Sequence, residues 1–141
     1  MIDKNEFTGI INVSDEMNSY NLKFGFSKNN SFDFRNKTDK YAPPAPPPFF
    51  FDTALSIKGE RYYSKILSPD SYTYNIILQY GQNNKIILNW KNKDWSKYLH
   101  QCNLKGFLDE ELLINIDMLK ENELIITNSE IISLKLNFIK L

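Results

Sequence analysis

The sequence predicts an all-β fold, an immunoglobulin-like antiparallel β-sandwich of about eight strands occupying one domain over residues 1–141. Three observations predict it. Apolar residues recur at every second position in one segment after another, the period of a half-buried strand and not of a helix. The segments are short, about ten residues apart, and divided by stretches rich in Gly, Asn and Pro. No heptad seam and no solenoid-length repeat competes with this pattern.

The elements follow in chain order. The opening FTGIINV reads as a strand with Ile10 in the core. In YNLKFGFS, Tyr20, Leu22, Phe24 and Phe26 share one face, opposite Asn21, Lys23, Gly25 and Ser27. Tyr72, Tyr74, Ile76, Leu78 and Tyr80 line up in YTYNIILQY, and Ile86, Leu88 and Trp90 in KIILNWK. The GQNN between them tolerates positive φ, so the two runs predict a hairpin. Residues 109–124 contain helix formers, yet Ile114, Ile116 and Met118 fit a strand, and Lys120–Glu121–Asn122 reads as a second hairpin turn. The closing IISLKLNFIKL alternates Ile132, Leu134, Leu136 and Phe138 against Ser133, Lys135 and Asn137. Leu55, Leu104 and Ile126 complete the expected core.

Tyr41–Asp52, YAPPAPPPFFFD, departs from the pattern with five prolines followed by three phenylalanines. Too little chain precedes it to fold alone, which argues against a linker between domains. A polyproline docking peptide is physically possible, but Phe49, Phe50 and Phe51 would leave a large apolar patch beside it. The favoured reading is a stiff crossing, residues 42–48, internal to the domain and anchored by some of those phenylalanines. The cluster Phe49–Phe51 is also the candidate protein-contact surface.

These residues carry a resemblance. The order NLKFGFS, SFDFRNKTD and APPAPPPFFFDTALS, then YNIILQY, KIILNW, LKGFLDEELLINIDM and LIITNSEIISLKLNF, resembles a β-sandwich module. That module sits beside the C-terminal sorting domain of type IX-secreted surface proteins of Bacteroidota and their relatives. Matching positions are Phe24, Gly25, Asp33, Pro43, Pro44, Pro46, Pro47, Phe51, Asp52, Trp90, Asn115, Met118, Thr127 and Asn128. The Asp–Tyr–Arg segment usual in that family stands here as Glu60–Arg61–Tyr62. The resemblance implies an address outside the cell or on its surface, and a fold more than an activity. The chain shown has no signal peptide, so a cytoplasmic location stays open beside it.

Composition narrows the partners. Lys plus Arg balance Asp plus Glu at 17 each, and Arg35 and Arg61 are the two arginines, so nucleic acid is not an expected partner. No apolar run approaches the length of a membrane-spanning helix. One cysteine and one histidine fall short of a zinc site. Calcium is the one cofactor the sequence admits, through Asp33 and Asp39, although Arg35, Lys37 and Lys40 beside them favour an ordinary polar loop. His100 and Cys102 would share a strand face, but no Gly-rich turn or helix start nearby supplies an oxyanion hole, and a buried Cys is the plainer reading. Trp95 and Tyr98, in KDWSKY, could stack a sugar ring if exposed; capping the core is favoured.

The expectation is therefore a non-enzymatic extracellular or cell-surface module for structural assembly or protein–protein contact, with a repeating subunit as one form of it and the terminal strands as the candidate pairing edges. The alternative is a carbohydrate-binding accessory module using Trp95 and Tyr98.

Overall fold

The computed structural model describes residues 5–30, 36–68 and 71–141. They form eleven strands: β1 (Glu6–Ser14), β2 (Ser19–Ser27), β3 (Lys40–Tyr41), β4 (Asp52–Ile57), β5 (Glu60–Leu67), β6 (Ser71–Gln79), β7 (Ile86–Trp90), β8 (Leu99–Leu108), β9 (Glu111–Asp117), β10 (Glu123–Ile126) and β11 (Ser133–Lys140). A single 3₁₀ turn, Trp95–Lys97, is the one helical element among the described residues. Among the described residues, no helix is long and apolar enough to cross a membrane.

Pairing runs unbroken through ten strands in the order β10-β7-β1-β2-β5-β4-β6-β11-β8-β9, with β3 added to β5. Ten flat strands at about 4.8 Å spacing would put the outer two roughly 43 Å apart. Yet β9 and β10 are those outer strands, and the six residue steps from Asp117 to Glu123 reach at most about 22 Å. The sheet therefore curls until its edges approach, in a nearly closed, barrel-like shape. The connecting turn is pinned on both sides of the gap. The Met118 amide donates to the Cys102 carbonyl of β8 at 2.9 Å, and the Trp90 amide of β7 donates to the Asn122 carbonyl at 3.1 Å. Trp90 Nε1 and Asn92 Nδ2 both donate to the Met118 carbonyl, at 3.0 and 2.9 Å.

The all-β class is as the sequence predicts, but the strand count and the pairing differ. There are eleven strands, not about eight, in one mixed sheet, because β2 runs parallel to β5 from Lys23↔Ser64 to Phe26↔Leu67. A parallel pair needs a crossover, and β3, the proline run and β4 provide it. Neither expected hairpin forms. β6 pairs with β4 and β11, while β7 pairs with β1 and β10. β9 and β10 likewise pair with different neighbours. The terminal strands are not edges either: β1 lies between β7 and β2, and β11 between β6 and β8.

One core fills the interior, drawn from all around the sheet. Leu22, Phe24, Phe26, Leu55, Ile76, Leu78, Ile86, Leu88, Trp90, Leu104, Ile126, Leu134, Leu136 and Phe138 are buried as the period-two pattern requires. Ile114 and Ile116 are half-buried. Ile10 is 44% exposed, and Phe7, Ile11 and Val13 face inward instead. Gly9 explains the phase. A Cβ there would lie 2.6 Å from the Phe24 ring, so this position leaves room for aromatic packing.

Candidate functional site

The proline crossing is held by side chains from β5 and β6. Arg61 Nε donates to the Pro43 carbonyl at 3.0 Å, and its guanidinium pairs with Asp52. Gln79 Nε2 donates to the carbonyls of Pro46, Pro47 and Phe50 at 3.1, 3.0 and 2.9 Å. Prolines have no N–H, so the run cannot join a ladder, and these contacts fix it from its carbonyl side.

The three phenylalanines then divide. Phe51 is buried, 5.6 Å from the Tyr20 ring, and anchors the end of the crossing. Phe49 is 79% exposed and Phe50 61% exposed. Phe49 has φ 77, a left-handed conformation that costs a bulky residue about 1–3 kcal/mol. The surrounding turn holds it there.

Two other turns meet this one. In the β1–β2 turn, Asp15 Oδ1 accepts the amides of Met17 and Asn18 at 3.0 and 2.7 Å, leaving Met17 80% exposed. From the β6–β7 connection, Asn83 Nδ2 donates to the Asp15 carbonyl at 2.8 Å, and Lys85 pairs with Glu16 at 2.7 Å. Gly81 sits so close that a Cβ would lie 3.2 Å from both Asp15 Oδ2 and the Phe51 amide nitrogen. Together the turns enclose a shallow cleft of about 410 Å³, lined by Met17, Pro48, Phe49 and Phe50 with Asp15 and Asn83. Asp15, Gln79 and Asn83 spend hydrogen bonds on the turns themselves, so the tip presents chiefly apolar contact.

The other sequence-derived candidates lie elsewhere. The Trp95 ring is 6% exposed and packs edge-on against Phe7 and Phe24, at centroid distances of 5.6 and 5.7 Å. Tyr98 is half-buried, 5.7 Å from Phe7. Trp95 therefore caps the core, and the two rings do not make an open platform for a sugar. Asp39 is buried in an ion pair with Lys65 at 2.8 Å and accepts the Asn36 amide at 2.8 Å. Its presumed calcium companion, Asp33, lies outside the described residues. Among the described residues, no three His, Cys, Asp or Glu side chains gather as a metal site. His100 is exposed, whereas Cys102 is buried with its sulfur 3.6 Å from Met118 Sδ. Burial, reinforced by Asp117, pushes the thiol well above its usual range, which disfavours the reactive thiolate at neutral pH.

Sequence reasoning missed Met17, whose signal is slight: one apolar residue inside the polar turn SDEMNS. Comparison with family models, curated proteins and solved structures gives no match.

Proposed function

We propose that this chain is a non-enzymatic β-module that works by protein–protein contact, with Met17, Phe49 and Phe50 as its contact residues. One observation carries the reading: two aromatic rings and a methionine stand exposed on turns fixed by Gln79 and Asp15. Rigid apolar anchors lose little freedom on docking and suit the centre of an interface, where most binding energy concentrates. Aromatic residues and Met are the types enriched there. The proposed setting is extracellular or at the cell surface, as a spacer or a subunit of an assembly; it rests on the resemblance to type IX secretion modules.

The test is photo-crosslinking from position 49. A benzophenone amino acid replaces Phe49, or Lys93 in an exposed loop as control, in the cells that make the protein. A discrete adduct from position 49 and none from position 93, lost when Phe50 and Met17 become Ser, supports the contact. No adduct, or equal adducts from both positions, refutes it.

A further inference from the structure

Away from the tip, the ten-strand path has two end strands, β9 and β10, joined by one short turn. β9 pairs with β8 alone and β10 with β7 alone among the described residues. Both leave the same turn at Met118–Asn122, so the gap between them opens from that turn. About every second residue of an edge strand directs its N–H and C=O away from its one neighbour, a template for another strand. Behind the gap the wall is apolar. Ile114 and Ile116 pair with Gly106 and Leu104, two inward positions, yet remain half-buried while Leu104 is fully buried. They lack the cover that a strand beyond β9 would give.

Charge identifies what would provide that cover. Residues 109–130 carry seven acidic side chains, Asp109, Glu110, Glu111, Asp117, Glu121, Glu123 and Glu130, against one basic, Lys120, in a chain whose charges balance only as a whole. None of these carboxylates is ion-paired among the described residues. Acidic edge residues can simply guard against aggregation, and here they disfavour pairing of β9 with the β9 of a second copy. Two antiparallel β9 strands centred on Ile114 would set Glu111 opposite Asp117 twice, like charge against like. The same charges attract a strand that carries cations.

We infer that the β9 edge accepts an extended segment of a partner protein in which apolar residues alternate with Lys or Arg. The apolar set covers Ile114 and Ile116, the main chain pairs with β9, and the cations meet the acidic rim. Strand addition of this kind takes affinity from main-chain bonds and specificity from alternate side chains.

A blocked nonapeptide alternating Val and Lys is the probe, with binding followed by amide NMR shifts and hydrogen exchange. Expected are shifts and new protection confined to β9 and β10. A peptide of equal charge with Pro at its centre should bind roughly tenfold more weakly, since it cannot complete the ladder. Glu111→Lys with Glu123→Lys should weaken binding while the melting temperature holds. Several results overturn the inference: no binding, equal binding of the prolyl peptide (charge attraction alone), or shifts elsewhere. So does protection of β9 that grows with protein concentration alone, the mark of a second copy.

Discussion

Gly25 lies in the stretch of β2 that runs parallel to β5, with φ +149, and a Cβ there would overlap the Phe7 carbonyl. The Tyr74 hydroxyl reaches the same spot, donating to the Lys65 carbonyl at 2.7 Å and accepting the Gly25 amide at 3.2 Å. Gly25→Ala is expected to cost more than about 2 kcal/mol, from backbone strain with steric overlap added, read as a lowered urea midpoint with unchanged slope. Alkali should act through the tyrosines. Burial raises the Tyr80 hydroxyl from 10.0 to about 12, and raises Tyr74 further. Because the folded values exceed the unfolded one, their stabilisation is fully present below pH 10 and is lost as pH rises through about 12. Urea midpoints should hold to about pH 9 and fall between pH 10 and 12, and flat midpoints over that span would contradict it.

At the scale of elements, the period-two pattern was readable because it is local. Ile76, Leu78, Leu134 and Leu136 face inward as their spacing requires, and β9 is a strand in spite of its helix formers. The partner of each strand was not readable. GQNN permits a tight hairpin, but β6 and β7 separate because β4, β11, β1 and β10 offer better-matched neighbours far away in sequence. The same holds for the candidate site. The FFF run is conspicuous, but which rings are buried depends on Gln79 and Asp15, which sequence does not place beside it. The division predicts unequal costs. Phe51→Ala should lose about 3–5 kcal/mol of stability, the range for emptying an aromatic core position. Phe49→Ser with Phe50→Ser should change stability by less than about 1 kcal/mol. Thermal melts of the two variants make the comparison, and equal losses would mean that the exposed rings also hold the fold.

For the whole molecule, the decisive fact is that the first and last strands are not the edges of the sheet. β1 and β11 are interior strands, and the edges are β9 and β10. Native-state hydrogen exchange should therefore be slowest in β1, β2, β6 and β11, where amides open only with global unfolding, and faster in β9 and β10 by local fraying. Protection of β9 equal to that of β11 would show an edge already covered. The place of β11 also sets a timetable. It joins β6 to β8, so until residues 133–140 have been synthesised the path of strands stays in two pieces, each with a raw margin. A chain so arranged gains little from folding as it is made. Its sheet must be completed late, by pairing distant segments, and slow completion leaves apolar strands open to misassociation. Like charge clustered along 109–130 opposes contact between those segments of unfinished copies.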